Sequence, residues 1–362
     1  MSAIQVVAPG LLTTVQDLGR EGFGPLAVSP SGAADPIALR IGNRLVGNPE
    51  SAAGLEMTLL GGTFVFPEGA VAALTGSDFG ATLDAAAVRP WISFEVEPGQ
   101  TLRLGPTRSG ARCYLSVRGG IDVEPFLGSA STHLLSGLGG RDGRALRKGD
   151  VLKIGSVNKP DATATRNISP KALELLAPRK ILRVTPGPQS DWFSDAAQRI
   201  FYGATYRVTE EANRMGLRLE GPAIMEGADG HAPGNAVGDA SGKARGDADG
   251  KARGDASGKA RGDAHGKARG EMLSEGVSLG AVQIAAGGQP IILFVEQQTT
   301  GGYAKIANII SADLSSLGQL RPRDEIRFEP VDFATARSLL LAQEKLLASE
   351  ELIVSASGPL RR

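Results

Sequence analysis

From residue 54 to residue 154 the sequence is cut into short β-prone runs, at 55–60, 71–74, 91–96, 101–104, 112–117 and 151–154. Gly61-Gly62, Pro98-Gly99, Gly119-Gly120 and Gly149-Asp150 separate them. Strands this short cannot bury a core alone, so regular short runs with tight turns demand a sandwich or a barrel. Helices are few. Asp35-Pro36 supplies an N-cap with proline at the first helical position; Ile37, Ile41, Leu45 and Val46 then share one face, and Gly47 ends the run. Arg40 and Asn43 fall off that face, where solvent exposure is the expectation. Ser190 is read as the cap of a helix through about Ile200, and Asp332 as the cap of a last helix bearing Phe333, Ala336, Leu339, Leu340, Leu346 and Leu347. The fold class expected is mostly β with a few short helices.

With 362 residues, two β-rich domains are expected. The first spans 1–155 and the second 180–345. A polar, proline-containing stretch at 156–179 is read as the linker, and 346–362 as a tail. Strands of the second domain are expected at 181–184, 206–208, 217–219, 281–284, 291–295 and 326–328. Residues 128–144 are rich in Gly and Ser and read as a long loop.

Lys+Arg and Asp+Glu both number 39, a zero formal charge that argues against holding nucleic acid by bulk electrostatics. Cys113 is the only cysteine, so a thiolate metal cluster is excluded. The histidines are His133, His231 and His265, and no metal site is expected. A Ser-His-Asp triad would have to use His133, which as a lone loop histidine is read as a surface residue. The N-terminal residues lack a basic stretch followed by an apolar core, and no run is apolar enough for a membrane span. A soluble cytoplasmic protein with no membrane association is the expectation.

Residues 238–269 are four copies of Gly-Asp-Ala-(Ser/Asp/His)-Gly-Lys-Ala-Arg, and 230–237 resembles a degenerate fifth. Glycine at every fourth position opposes helix, and no large apolar residue is present to bury. The region 228–270 is read as a disordered insertion. Calcium β-roll repeats share its Gly/Asp bias, but they need a nine-residue period and an apolar residue per unit, both missing here. Eight basic residues against five acidic ones argue the same way.

The densest polar chemistry lies at 297–305. Gln297-Gln298-Thr299-Thr300-Gly301-Gly302-Tyr303-Ala304-Lys305 follows the apolar run 291–295. Two glycines permit a sharp turn or a close approach to a ligand. Around them stand two carboxamides, two hydroxyls, a phenol and an ammonium. An ordinary polar turn and a binding loop both remain open on this pattern.

Six motifs recur in order: Pro9-Gly10-Leu11-Leu12-Thr13-Thr14-Val15-Gln16-Asp17-Leu18-Gly19-Arg20, Pro30-Ser31-Gly32-Ala33, Gly119-Gly120-Ile121-Asp122, Pro186-Gly187-Pro188-Gln189, Asn213-Arg214-Met215-Gly216 and Thr299-Thr300-Gly301-Gly302-Tyr303. Together they resemble the KipA-like family, the C subunit of bacterial ATP-dependent 5-oxoprolinase, long labelled allophanate hydrolase subunit 2. They are also similar to the first half of the carboxyltransferase domain of urea carboxylase. Ala34 and Ala304 depart from the family's usual Met and Pro.

The resemblance implies a cyclophilin-like β-barrel architecture and ATP-dependent opening of 5-oxo-L-proline to L-glutamate. It implies two partners, a KipI-like B subunit plus a third, the A subunit. ATP would be shared with those partners, because no phosphate-loop motif is present; biotin, if used, would arrive on another chain, because no Met-Lys-Met site is present. Alternatives are a carboxyltransferase component of a biotin-dependent urea carboxylase-like system, and a non-catalytic antagonist of a kinase inhibitor. Within the motifs, Arg214 and Arg20 suit anion clamping. Lys305 suits a developing oxyanion or phosphate, and Asp17 or Glu275 proton transfer. Tyr303, Thr299 and Thr300 suit orienting an amide, with Gly301, Gly302 and Asn213 beside them.

Overall fold

A computed structural model describes residues 2–156, 165–225 and 272–355. The octapeptide repeats, read as the insertion 228–270, lie outside the described residues.

Two sheets of antiparallel strands enclose one core in the first region. One sheet orders Ile121–Asp122, Val151–Ile154, Ala3–Ala8, Thr63–Val65, Thr101–Arg103, Thr82–Leu83 and Ala86–Ala87. The other orders Leu12–Gln16, Gly54–Thr58, Arg112–Val117, Ala70–Gly76 and Ser93–Val96. Alternation explains the division of labour within the strand Arg112–Val117. Cys113, Leu115 and Val117 join Ile4, Phe64 and Leu102 of the opposite sheet in the core. Tyr114 points the other way, into a cluster with Ala38 and Leu39 of helix α1 (Pro36–Val46). With both faces covered, every residue of that strand is buried.

Helix α1 forms as its sequence requires. Asp35 Oδ1 accepts from Ala38 N at 3.0 Å, Pro36 occupies the first turn, and Gly47 closes it at φ +79°. Its surroundings correct one expectation. Asn43 is fully buried, donating to the carbonyls of Glu50 and Ala52 at 3.1 and 2.7 Å, because α1 packs against a sheet on one side and the 48–52 turn on another. Arg40 donates to Glu50 and, through two 2.8 Å bonds, to Glu344.

Residues 157–164 of the stretch read as a linker lie outside the described residues, and from residue 165 on it is more ordered than its composition implies. Arg166–Ile168 is a strand, and Ser169 caps the short helix α2 (Pro170–Leu175). Seven strands then close a barrel in the order Ile181–Pro186, Lys305–Ile309, Ala281–Ile284, Pro290–Leu293, Gly216–Glu220, Tyr206–Val208 and Glu325–Pro330. The last strand pairs with the first in parallel, which completes the ring. Ser190 opens only a single 3-10 turn; helix α3 (Asp195–Gly203) is capped by Ser194. Phe201 of α3 stacks on Phe328 at 4.5 Å and seals one side of the barrel core. The short helix α4 (Leu314–Leu317) follows the strand Lys305–Ile309.

Helix α5 (Phe333–Ala348), capped by Asp332, leads back to the first region. Leu347 and Leu352 are buried with Ile37, Ile41 and Leu45, and Ile353–Ser355 pairs with Arg166–Ile168. The described part of the expected tail therefore ends the helix and joins sheet and core, held there by Leu347, Leu352 and Ile353.

Candidate functional site

The polar loop sits at one end of the barrel, and its neighbours explain its sequence. Glu275–Gly276 pairs antiparallel with Thr300–Gly301, aligning Glu275 with Gly301. Gln283 is the cross-strand partner of Lys305, beside a register shift at Val282. Such an irregularity bends a strand and re-aims its side chains. Neither Gly301 nor Gly302 adopts positive φ; what position 301 requires is space. A Cβ there would stand 2.6 Å from Gln283 Nε2 and 2.7 Å from Gln298 Nε2. The Pro186-Gly187-Pro188-Gln189 turn presses on the same strand, since a Cβ at Gly187 would lie 2.2 Å from the Lys305 carbonyl oxygen.

These contacts assemble a lip around one ion pair. Lys305 Nζ lies 2.6 Å from Glu275 Oε1, and Gln189 Nε2 donates to that same oxygen at 2.8 Å. The other end of the Gln189 carboxamide accepts the Lys305 backbone N–H at 3.1 Å. Lys305 is 3% exposed, whereas the Glu275 side chain is 45% exposed. Hydrogen bonds from Lys305 and Gln189 hold the Glu275 carboxyl below the usual carboxylate range. Tyr303 lies beside them at 44% exposure. Thr299 is half-buried and Thr300 exposed. Adjacent is a cavity of about 190 Å³ lined by Asn213, Met215, Arg218, Gln283, Gln298 and Tyr303 among others. Lys305 and Glu275 stand next to this cavity and do not line it.

Three candidates are not part of the lip. Arg214 is 5% exposed and belongs to a buried seam between sandwich and barrel. Its Nη1 donates to Glu56 Oε1 at 2.5 Å, its Nη2 to the Gly32 carbonyl at 2.7 Å, and its Nε to Glu296. Glu56 Oε2 accepts from Ala34 N at 2.8 Å and Tyr114 OH at 2.7 Å. Arg112 approaches Glu56 at 3.6 Å and lies over the Phe294 ring. Burial would raise the Glu56 pKa, but Arg214 and Arg112 outweigh it and hold the carboxyl below its usual range. Each Arg214 nitrogen is thus engaged within a buried seam that an outside anion does not reach, a correction to its reading as a clamp.

Asp17 is likewise committed. Its Oδ1 accepts from Gly19 N, Ser129 Oγ and Ser131 Oγ at 2.8, 2.6 and 2.5 Å, and its Oδ2 from Ala130 N at 2.7 Å. It ties the 17–20 loop to the 126–133 segment, so its carboxylate holds backbone and hydroxyl groups of the protein together and stands apart from the lip. Arg20, 2% exposed, donates to the carbonyls of Phe126 and Ser131 and lies over the Phe126 ring. His133 is buried rather than at the surface. Ser136 N donates to its Nδ1, so the ring proton sits on Nε2, 2.7 Å from Ser29 Oγ. That tautomer donates to Ser29 and cannot deprotonate it, which removes the one available triad.

Sequence reasoning missed Gln189 and Gln283. Gln189 stands inside a motif already singled out, and Gln283 is the lone polar residue of an otherwise apolar strand, so both left a trace. Among the described residues no three His, Cys, Asp or Glu side chains converge as metal ligands, and no helix is long and apolar enough to cross a membrane.

A closed barrel docked on a two-sheet sandwich, with its polar lip at one barrel end, places the chain in a known class. Residues 26–330 match the carboxyltransferase domain, subdomain A and B, and the chain belongs to that family. It is 37% identical over 325 residues to the C subunit of 5-oxoprolinase from Escherichia coli, covering 90% of each chain. It is 33% identical to urea amidolyase of Saccharomyces cerevisiae, covering 96% of this chain but 18% of that longer one. The crystal structure of the Kluyveromyces lactis urea amidolyase aligns with a TM-score of 0.77 at 30% identity, covering 97% of this chain and 21% of the other.

Proposed function

We propose that this chain is the C subunit of an ATP-dependent 5-oxoprolinase complex, a cytoplasmic assembly that opens 5-oxo-L-proline to L-glutamate. The observation that carries this reading is the end-to-end match to the 5-oxoprolinase C subunit, which covers nine-tenths of both chains. The lip supports it chemically. A lactam opened with ATP develops negative charge on the amide oxygen, and a nearby ammonium stabilises such charge best where water is excluded. Lys305 is that ammonium. Glu275 holds it in place through one oxygen and remains exposed enough to exchange partners with an incoming anion.

The nucleotide fits this chain poorly. A triphosphate needs several cations or a cradle of backbone N–H groups. The lip offers one ammonium, already neutralised by Glu275. ATP is therefore assigned to the two partners, the KipI-like B subunit together with the third, A-type one, with this chain supplying part of the amide site. The test is reconstitution of the purified chain with its cognate partners. ATP hydrolysis should rise on adding 5-oxo-L-proline and fall to the background of the partners when Lys305 is replaced by Met. Hydrolysis indifferent to 5-oxo-L-proline would sink the reading.

A second reading, a carboxyltransferase component acting with a biotin-bearing partner, is favoured by the alignment with urea amidolyase. Carboxylation of urea dependent on added biotinylated carrier would select it.

A further inference from the structure

We propose that Gln283 is the residue that reads the substrate's amide, and that the cavity of about 190 Å³ beside it takes a small cyclic amide bearing a carboxylate. The inference rests on the 5-oxoprolinase reading and deepens it. The strand Ala281–Ile284 is buried at all four positions, and Gln283 is 1% exposed. Its Nε2 has no hydrogen-bond partner among the described residues. A buried polar group left unpaired is destabilising, so a carboxamide on an otherwise apolar strand needs a reason. The surroundings supply one. Gly301 leaves the space into which both Gln283 and Gln298 project, and both line the cavity with Asn213 and Tyr303.

Carboxamides present a donor and an acceptor in one plane, the complement of a lactam N–H and C=O. Arg218, also lining the cavity, has only a long 3.6 Å pairing with Glu211 and is 54% exposed. Its guanidinium is the group for a ligand carboxylate. The volume lies below the roughly 300–1,000 Å³ of pockets for drug-sized ligands, which favours a single small ring.

The experiment uses the assembled complex and titrates three ligands by calorimetry without ATP: 5-oxo-L-proline, 2-pyrrolidinone (lactam alone) and cyclopentanecarboxylate (carboxylate alone). Gln283→Met keeps the side-chain volume and removes the amide. It should weaken 5-oxo-L-proline and 2-pyrrolidinone by at least about tenfold, since a site built to hydrogen-bond its substrate discriminates strongly when that bond is lost. The variant's Tm should stay level or rise, because an unpaired polar group has gone. Arg218→Ala, at an exposed position, should weaken 5-oxo-L-proline and leave 2-pyrrolidinone unchanged, which tests the cavity even if the core variant fails to assemble. Lactam affinities within twofold of wild type in Gln283→Met, with turnover intact, overturn the amide site and keep the functional reading. Lactam binding lost in Gln283→Met, in a wild-type complex whose ATP hydrolysis ignores 5-oxo-L-proline, does the reverse.

Discussion

Two clusters of opposite charge, the Arg214 seam and the Lys305 lip, differ in how they are buried and in which partners their hydrogen bonds use. In the seam, Glu56 accepts from a guanidinium, a phenol and a backbone N–H, and Arg214 spends its donors on Glu56, Glu296 and the Gly32 carbonyl. All of these side chains are buried. At the lip, Lys305 and Gln189 both engage a single oxygen of a half-exposed Glu275. A buried cluster whose side chains hold one another fixes geometry, whereas a half-exposed pair beside an open cavity can trade partners with a ligand. Arginine inside a motif is therefore weak evidence for chemistry until its partners are counted.

The comparison breaks most visibly at Arg214. Replacing it with Ala leaves Glu296 buried without its cation and Glu56 with only the more distant Arg112, and removing one partner of a buried pair costs about 3–5 kcal/mol. Urea denaturation of Arg214→Ala should read a loss of that size. A fold of unchanged stability with turnover abolished would move Arg214 from the seam to the chemistry.

Next in size is a pH effect from the same seam. Burial pushes the Asp35 carboxyl up to about 6, against the bonds from Gln319 and Ala38 that favour its charge. A raised carboxyl pKa means that the folded state holds the proton more tightly than the unfolded chain. The stability it adds is full below the unfolded pKa of 3.8 and is lost as pH rises to about 6. At about 1.4 kcal/mol per pKa unit the change is about 3 kcal/mol. Asn caps a helix as well as Asp, so Asp35→Asn should lack this slope. The stability difference between wild type and variant, followed from pH 4 to 7 by denaturant titration, should change by that amount, with wild type losing ground as pH rises; a flat difference would separate Asp35 from the seam.

The lip should respond in the opposite currency, activity rather than stability. Lys305→Met is expected to lower complex turnover about a hundredfold, the scale of losing one preorganised stabiliser of developing charge. Thermal unfolding should move by no more than a few degrees. A large stability loss with proportionate loss of assembly would make Lys305 another seam residue.

These outcomes follow the line between what the sequence can and cannot disclose. The cap at Asp35, the strands between 54 and 154 and the polar loop were legible because each depends on neighbours a few residues away. Arg214 and Glu56 are 158 positions apart, Asp17 and Ser131 114. No local pattern says that such pairs meet, so committed residues and available ones looked alike. Gln283 was overlooked for the converse reason: its strand reads as apolar, and the meaning of its one carboxamide depends on a glycine at position 301. Residues 165–179 read as linker because their apolar residues are too sparse to show a period, yet Ile168 and Ala172 are buried against α1 and α5.

The smallest expected effect sharpens the comparison from the other side. Glu275→Gln keeps the bond to Gln189 possible and removes the charge opposite Lys305. Because Glu275 is nearly half exposed, water and salt screen the pair, and such surface ion pairs contribute about 0–1 kcal/mol. Its carboxyl is held below the usual range, so the contribution is present above the unfolded pKa and disappears as pH falls through the lower folded one. Wild type and Glu275→Gln should therefore differ by less than about 1 kcal/mol at pH 7, still less in 1 M salt, and less again as pH falls below the unfolded pKa. A difference of several kcal/mol that resists salt would mean that the lip is closed and dry like the seam, and the functional distinction between the two clusters would fall with it.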